Sequence, residues 1–352
     1  MLPALAILVF VLGVGATLAV AGETLGYDFL AYHAAASRVL DGQPAYDTSY
    51  QAAGGFGLFY YPPTFLPLVL AVGLLSPAAA TWAWTGLLLV AFLAGTAILP
   101  VHRRVRWLTI LLAGQSWPFL FAIKLGQVGP LLFLLFAAGW RWMDRPRVLG
   151  LVAALGAAIK LQPAVILLWA FLTRRFAAFI AGGVVLVVLA ALATLTGGTR
   201  AWSDFLLLVG RVSDPITTPR NVTVGAVAWQ LGLSADAAAA LQWLSLVIVL
   251  GLLVIAALRL DPVPSYLVAV VASQLLSPIL WDHYAMLLLL PVAWMVDKGR
   301  WWAAILPLTT SVLLLGNIPP WVYPLGFVAA LVGVYGIAIN RGKGALTVPV
   351  AA

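Results

Sequence analysis

Long uninterrupted apolar runs recur along the chain and constrain its fold more than any other feature. The first, LAILVFVLGVGATLAVA, ends at Ala21 and contains no charged residue. Runs of this length are typical of transmembrane helices, and they lack the polar–apolar alternation of a membrane β-strand. Only 9% of the 352 residues are charged, whereas soluble domains carry about 25%, so lipid must be the solvent. The sequence therefore predicts an all-α polytopic membrane protein.

The hydrophobic pattern predicts one membrane domain over residues 1–352, with roughly 10–13 transmembrane or half-membrane helices. We expect the span at 148–172 to break near Pro163, and the shorter spans to include half-helices or re-entrant segments. No basic region precedes the first span and no clear cleavage site follows it, so we expect a retained helix. The predicted spans are 2–21, 62–75, 78–99, 107–122, 126–142, 148–172, 176–196, 238–258, 265–280, 284–297, 302–316 and 320–339.

Basic residues cluster in short loops between the predicted spans, and they predict the orientation of the chain. The positive-inside rule places these loops in the cytoplasm: 102–106, 141–147, 174–175, 298–300 and 341–343. Topology therefore explains the net charge of +8, and we expect no nucleic-acid partner. If 62–75 and 78–99 both crossed the membrane, residues 102–106 would lie on the wrong side. We therefore expect 62–75 to enter and return, or to form a broken helix.

The remaining loops then face the extracytoplasmic side of the cell membrane, at 23–60, 198–237, 277–283 and 317–321. The two longest mix aromatic with charged residues and could form helices that lie on the membrane surface.

Several kinds of chemistry have no signature in this sequence. The chain has no cysteine and only three histidines, which excludes thiolate sites and makes a zinc site an unfavourable interpretation. It also lacks a Walker motif, an HExxH motif and a GxSxG motif. Without a nucleotide cradle, any transfer reaction must draw its energy from a substrate that is already activated.

Asp28 lies in a polar loop directly after the first span. A carboxylate at the water-facing rim of a membrane bundle is a candidate general base for a lipid-borne substrate. The alternative is a helix cap or a solvated loop charge. Tyr32, four residues later, would share a helical face with Asp28. Tyr61 precedes two prolines, and this stretch could begin a helix at an aromatic belt and also shape a site.

Two short stretches place lysines between apolar runs, at Lys124 with Gln127 and at Lys160. A lysine at the bilayer centre costs roughly 2.5–3.5 kcal/mol, so Lys160 must snorkel, pair or line a wet cavity. Pro163 breaks the helix beside it, which is tolerated where backbone faces a cavity. A cation at a broken helix end suits a phosphate, and snorkelling to a lipid headgroup is the alternative.

A fourth stretch combines Pro278, Trp281, Asp282 and His283 between two spans. A lone interfacial histidine is usually structural, but a carboxylate and an imidazole at a proline break favour a site. Loop 198–237 adds further hydrogen-bond donors, namely Arg211 and Arg220 with Asn221 and Thr223. Arginine binds phosphate in a bidentate manner, and lysine as a point charge.

The order of these motifs resembles glycosyltransferase family 87. The family pattern usually has asparagine where this chain has Gly129, and often a second histidine where it has Tyr284, departures that bear on sugar choice and phosphate contact. The matching residues are Asp28-Phe29 with Tyr32, Leu40 with Gly42, Ala45-Tyr46-Asp47, Tyr61-Pro62-Pro63, Gly126-Gln127-Val128, Ala158-Ile159-Lys160 with Pro163, Asn221 with Thr223 and Gly225, and Ser277-Pro278 with Trp281-Asp282-His283.

The resemblance implies a GT-C-type bundle with extracytoplasmic loop helices and an inverting transfer that needs no metal and no cofactor. The donor would be a polyprenyl-phosphate sugar, with mannose as the first choice of sugar, and the acceptor a hydroxyl of a lipid-linked or glycan molecule. Asp28 takes the position of the catalytic base and His283 that of the active-site histidine. We predict donor phosphate or sugar binding by Lys160, Arg220, Lys124, Gln127, Asn221, Asp282, Tyr32 and Tyr61.

Three alternatives stay open. Arabinofuranose rivals mannose as the transferred sugar, because the lipid phosphate is common to both donors. A lipid or glycan transporter would also contain broken helices and intramembrane polar residues. A noncatalytic membrane scaffold would leave the ordered polar motifs unexplained. The enzyme interpretation requires the distant loops to converge in one wet pocket.

Overall fold

A computed structural model of the chain describes residues 1–49, 57–212, 215–218, 220–308, 319 and 321–345. The predicted all-α class is confirmed, because the described residues form helices, turns and loops with no β-strand among them. Short 3₁₀ helices occupy Gly22–Thr24, Pro63–Phe65, Leu70–Leu74, Gln162–Ala164, Asp282–Leu288 and Trp301–Leu308. The α-helices are α1 (Leu2–Ala21), α2 (Phe29–Leu40), α3 (Leu66–Val69), α4 (Pro77–Ile98), α5 (Arg103–Ala113), α6 (Trp117–Leu125), α7 (Gly129–Arg141), α8 (Pro146–Ile159), α9 (Val165–Leu172), α10 (Phe176–Gly197), α11 (Arg200–Val212), α12 (Val224–Gln230), α13 (Ala235–Arg259), α14 (Pro262–Leu275), α15 (Leu289–Asp297) and α16 (Val322–Ala345).

Five of the described helices are long and apolar enough to cross a bilayer, namely α1, α4, α10, α13 and α16. Helices α6 and α7 together make a sixth candidate, bent by 119° at the break between them. The shorter apolar segments are Pro63–Leu74, Pro146–Ile159, Gln162–Leu172 and Pro262–Leu275. The multi-pass architecture thus combines full-length spans with half-length helices, as the short apolar runs predicted.

Local sequence signals fix the beginnings of the long helices. Ser76 precedes Pro77 at the start of α4, and its hydroxyl accepts a hydrogen bond from the backbone of Ala79. Ser234 caps α13 in the same way, through the backbone of Ala237. A hydroxyl at this position satisfies one of the N–H groups that the first helical turn leaves unpaired. The predicted spans at 78–99 and 238–258 therefore correspond to α4 and α13, with small shifts at their ends.

Other predicted spans are interrupted. The span predicted at 107–122 is divided between α5 and α6, because Pro118 in the first turn of α6 cannot continue a helix from α5. The span at 148–172 breaks where predicted, and Lys160 there has an extended backbone. Residues 62–75 form three short helical pieces that would cover roughly 18 Å as a helix, too little to cross a bilayer core of roughly 30 Å.

Some predicted features lie wholly or partly outside the described residues. The span predicted at 302–316 begins as the 3₁₀ helix Trp301–Leu308, and its remainder falls outside the described residues. Residues 50–56 of the first long loop and most of the loop at 317–321 also lie outside the described residues.

Helices α14 and α15 form the centre of the bundle. All residues of α14 from Pro264 to Leu275 are buried, and so are those of α15 from Leu289 to Val296. A helix that is apolar on every side needs other helices around it, and α14 packs against α9, α13 and α16. The segment between α14 and α15 is therefore anchored in the core at both ends.

Gly126 makes the turn between α6 and α7. Its φ of 71° lies in the left-handed region, which glycine adopts without steric cost. A Cβ atom at this position would lie 2.6 Å from Cβ of Phe29, and Trp84 donates a hydrogen bond to its carbonyl oxygen at 2.8 Å. The turn is thereby packed against the beginning of α2, directly beside Asp28.

Candidate active site

One cavity of about 580 Å³ lies between the helices and collects polar residues from distant parts of the chain. Nearly all of the side chains that the sequence singled out line it, together with apolar residues such as Phe121 and Ile279. Asn221 is the exception. The predicted residues in the lining are Asp28, Tyr32, Tyr61, Lys124, Gln127, Lys160, Arg220, Asp282 and His283.

Backbone hydrogen bonds hold Asp28 at the end of α6. Gly26 N donates to Lys124 O at 2.8 Å, and Asp28 N donates to Leu125 O at 2.9 Å. These bonds use carbonyl groups that the end of a helix leaves unpaired. The carboxylate then accepts a hydrogen bond from Gln127, whose Nε2 lies 2.5 Å from Asp28 Oδ2. Asp28 is therefore fixed in both backbone and side chain, and it faces the cavity half-buried.

The orientation of the Gln127 amide follows from its other partners. Its Oε1 accepts hydrogen bonds from Tyr61 at 2.9 Å and from Lys160 at 3.4 Å, with Tyr32 at 3.5 Å. Burial raises the pKa of Tyr61 well above its usual value, so the phenol remains a donor. Because donors surround Oε1, the Nε2 group must point toward Asp28.

Lys160 follows the end of α8 and reaches into the cavity. Its Nζ donates to Tyr284 Oη at 2.8 Å and lies 4.1 Å from the centre of the Tyr284 ring. The Tyr61 ring is 5.3 Å away. Both distances are typical of cation–π contacts. The ammonium group is thus held among Tyr284, Gln127 and Tyr61, and it lines the cavity.

Lys124 and Arg220 bring two further positive charges to the cavity wall. Lys124 lies in the last turn of α6. Arg220 is exposed and has a φ of 62°, a conformation that is uncommon outside glycine. With Lys160 they give the cavity three cations against the two carboxylates of Asp28 and Asp282. Such an excess of positive charge suits an anionic group such as a phosphate.

Asp282 and His283 form a pair at the start of a 3₁₀ helix. Asp282 accepts hydrogen bonds from Trp117 Nε1 at 3.1 Å and from the backbone of His283 at 2.7 Å. Burial alone would raise the pKa of Asp282, but the contacts with His283 and Trp117 bring it below its usual value. His283 Nδ1 lies 3.6 Å from Asp282 Oδ1.

The other ring nitrogen of His283 is a second polar atom in this pair. His283 is buried, and its Nε2 forms no hydrogen bond with any described residue. A buried polar atom without a partner is costly and is found where a ligand or water completes the contact. Burial lowers the pKa of His283, and Asp282 offsets only part of this effect. The free protein therefore holds this imidazole in its neutral form near pH 7.

Asn221 is the predicted site residue that does not face the cavity. It is completely buried, and its Nδ2 donates to the carbonyl oxygens of Pro215 and Pro278 at 2.6 and 3.1 Å. Its Oδ1 accepts from the backbone of Thr223 and Leu280 at 3.1 and 2.9 Å. The amide is fully used by the chain itself. It joins the segment after Arg220 to the segment before Asp282.

The sequence prediction missed Tyr284 and Trp117, which contact Lys160 and Asp282. Tyr284 was visible only as a departure from the family pattern. The other departure, Gly129, has a structural reason: a Cβ atom there would lie 2.6 Å from Met286 Sδ. Met286 thus occupies the space beside position 129. Within the described residues, no three His, Cys, Asp or Glu side chains are grouped to hold a metal, and metal independence stays a prediction.

The helical bundle and its cationic cavity define the chain as a polytopic membrane protein with a buried polar site. Residues 59–291 match glycosyltransferase family 87. This match covers more than half of the chain, and the protein belongs to that family of enzymes. Asp28 lies before the matched range, so its place in the site rests on the geometry of the cavity.

Two mycobacterial proteins are similar to the chain, and both are named polyprenol-phosphate-mannose-dependent alpha-(1-2)-phosphatidylinositol mannoside mannosyltransferase. The one from Mycobacterium tuberculosis (strain ATCC 25618 / H37Rv) is 29% identical over 313 residues, covering 75% of this chain and 71% of the relative. The one from Mycolicibacterium smegmatis (strain ATCC 700084 / mc(2)155) is 28% identical over 284 residues, covering 70% and 64%. No solved structure matches the chain significantly.

Proposed function

We propose that the protein transfers mannose from a polyprenyl-phosphate donor to a hydroxyl of a lipid- or glycan-borne acceptor, with inversion at the sugar. The observation that carries this proposal is the shared cavity of Asp28 and the cations Lys124, Lys160 and Arg220. A carboxylate can accept a proton, and the cations can hold a phosphate. The names of the two mycobacterial relatives support mannose as the sugar and a phosphatidylinositol mannoside-like lipid as the acceptor.

In the proposed reaction, the acceptor hydroxyl attacks the anomeric carbon of the donor sugar. The new carbon–oxygen bond forms as the bond from that carbon to the phosphate oxygen breaks. The proton of the hydroxyl passes to Asp28, and the electron pair of the broken bond stays on polyprenyl phosphate. General-base catalysis of this kind contributes roughly 10²–10⁴-fold to a rate. One displacement on the face opposite to the leaving group inverts the configuration.

The two carboxylates of the cavity differ in how many of their oxygens accept hydrogen bonds from the described residues. Both oxygens of Asp282 accept hydrogen bonds, from Trp117 and from the His283 backbone. Asp28 Oδ2 accepts one from Gln127, and within the described residues Oδ1 accepts none. This difference supports Asp28 as the base and Asp282 as the partner that orients His283.

The negative charge that develops on the departing phosphate requires groups that are already in place. Lys160 brings its positive charge to the cavity, and His283 offers Nε2. A phosphate oxygen near Nε2 and the Asp282 carboxylate near Nδ1 both favour a doubly protonated ring. His283 is therefore proposed to bind the phosphate as an imidazolium, although the ring is neutral in the free protein.

The cavity is proposed to open on the extracytoplasmic side. Helices α7 and α8 each have arginine at one end and a cavity residue at the other, Arg141 opposite Gln127 and Arg147 opposite Lys160. Hydrogen bonds also join pairs of basic loops, since Arg175 donates to Met143 O at 2.7 Å. Basic loops favour the cytoplasm, so the cavity lies toward the opposite membrane surface.

The test uses membrane vesicles that contain the protein, radiolabelled polyprenyl-phosphate mannose and a phosphatidylinositol mannoside acceptor. We expect the label to appear on the acceptor lipid, with release of polyprenyl phosphate. Movement of intact donor across the membrane without transfer would support a transporter instead. Transfer from the corresponding arabinofuranose donor, but not from the mannose donor, would show that the transferred sugar is arabinofuranose and leave the proposed reaction type unchanged.

A further inference from the structure

Tyr284 lies in the cavity between Lys160 and His283. Its hydroxyl oxygen is 2.8 Å from Lys160 Nζ, and its ring centre is 4.8 Å from that of His283, with the two rings nearly perpendicular. The ring centre of Phe121 is 6.3 Å from that of His283. Tyr284 therefore joins the two groups that the proposed function assigns to the leaving phosphate, and it faces the same open space.

The direction of the Lys160–Tyr284 hydrogen bond is fixed by chemistry. An ammonium group can only donate, so the tyrosine oxygen must accept. The hydroxyl hydrogen of Tyr284 is then left to donate elsewhere. Within the described residues, no carboxylate or carbonyl oxygen accepts a hydrogen bond from it. Tyr284 is one of the residues that line the cavity, which puts a ligand in the cavity beside this residue.

We propose that Tyr284 is a further catalytic residue, whose hydroxyl donates a hydrogen bond to a phosphate oxygen of the polyprenyl-phosphate leaving group. This inference rests on the proposed function. Lys160 supplies the charge at that oxygen, and Tyr284 supplies a directed neutral donor beside it. A chain of hydrogen bonds from cation to phenol to anion strengthens each member. The contact gains importance as negative charge accumulates on the phosphate during transfer.

Tyr284→Phe tests this role because it removes the hydroxyl and keeps the ring that packs against Lys160 and His283. One hydrogen bond to a charged group predicts a roughly 10- to 100-fold loss. We expect kcat to fall by this order, with a smaller change in KM for the donor. Binding of polyprenyl phosphate to the protein in nanodiscs should weaken, while binding of polyprenol, which lacks the phosphate, should not change.

Tyr335→Phe is the matched control, since the hydroxyl of Tyr335 donates to Leu252 O in a helix pair away from the cavity. It should leave both binding and transfer unchanged. A Tyr284→Phe protein that binds polyprenyl phosphate as tightly as the wild type, with unchanged kcat, would overturn the inference. Equal weakening for polyprenol and polyprenyl phosphate would also overturn it, because it would indicate a structural role.

Failure of this inference can be told apart from failure of the proposed function. If Asp28→Asn loses transfer while Tyr284→Phe behaves as the wild type, only the catalytic role of Tyr284 is rejected. If Asp28→Asn keeps full transfer activity, the role of Asp28 as the base is rejected, independently of the result for Tyr284→Phe. Weakened polyprenyl phosphate binding in Tyr284→Phe remains measurable in both cases, because it does not depend on turnover.

Discussion

Gln127 Nε2 lies 2.5 Å from Asp28 Oδ2, and this hydrogen bond joins the α6–α7 turn to the first loop of the chain. The donors around Gln127 Oε1 fix the amide so that it can only donate to the carboxylate. One carboxylate oxygen is thereby held, and the other is directed to the cavity. The two residues act together, with Asp28 proposed to take the proton and Gln127 to orient it.

Replacement of this donor by an acid should change the pH dependence of the enzyme. In Gln127→Glu, two carboxylates would face each other, and like charges this close disfavour ionisation of both. We expect kcat to fall at least tenfold and the acid limb of the pH–rate profile to move to higher pH. Gln43→Glu, on the exposed surface, is the matched control. An unchanged pH–rate profile in Gln127→Glu would show that Gln127 does not influence Asp28 in the reaction.

Donor binding should take up a proton at His283. Burial lowers the pKa of this imidazole in the free protein, so it is neutral near pH 7. A phosphate at Nε2 favours the charged ring and raises the pKa on binding. Affinity for the polyprenyl-phosphate mannose donor, a phosphodiester whose charge is constant in this range, should therefore increase as pH falls through the neutral range. Calorimetric titrations in two buffers of different ionisation enthalpy should give different heats for the wild type and equal heats for His283→Gln. Equal heats for the wild type would contradict this account.

Replacing Asn221 should lower the thermal stability of the protein, because its side chain bonds only to backbone groups. Asn221→Ala would leave the backbone groups of Pro215, Pro278, Leu280 and Thr223 without their side-chain partner. Each unsatisfied buried group costs about 1–3 kcal/mol. We expect the midpoint of thermal unfolding in detergent to fall by several degrees. Asn221→Asp should also lower it, because its second carboxylate oxygen would face the carbonyl oxygens of Pro215 and Pro278 in a buried site. A wild-type midpoint in the alanine variant would refute this role.

The membrane orientation can be read by labelling, because the chain has no native cysteine. Glu23 is exposed at the end of α1 near the cavity, and the Asp144 side chain is 90% exposed in a basic loop. In intact cells, an impermeant maleimide should label Glu23→Cys at once. It should label Asp144→Cys only after the membrane is permeabilised. The reverse pattern would place the cavity in the cytoplasm.

The positions of α1, α10 and α13 were predictable from hydrophobic runs alone, because these helices are long and apolar, and most of their residues lie outside the packed core. The break at Lys160 was also predictable, because Pro163 interrupts the helix and a lysine between apolar runs requires a water-accessible environment. The division between α5 and α6 was missed because Gly114 and Ser116 do not interrupt the apolar pattern strongly.

Contacts across the bundle were beyond the sequence. Gln127 and Asp28 are separated by 99 positions, and nothing in either motif states that the amide faces the carboxylate. Asn221 looked like a ligand-binding amide in an exposed loop. Its burial depends on Leu280 and Pro278 returning to the same place, which only the packed core around α14 arranges. Residue types thus indicated the chemistry, and packing decided which of them reach the cavity.

The most direct test is mannose transfer by Asp28→Asn in membrane vesicles, beside Asp41→Asn as an exposed matched control. The substitution keeps the shape of the side chain and removes its basicity. We expect a loss of roughly 10²–10⁴-fold in kcat, with wild-type membrane insertion, thermal stability and polyprenyl phosphate binding, and full activity in the control. Near-wild-type turnover by Asp28→Asn would contradict the account of this site.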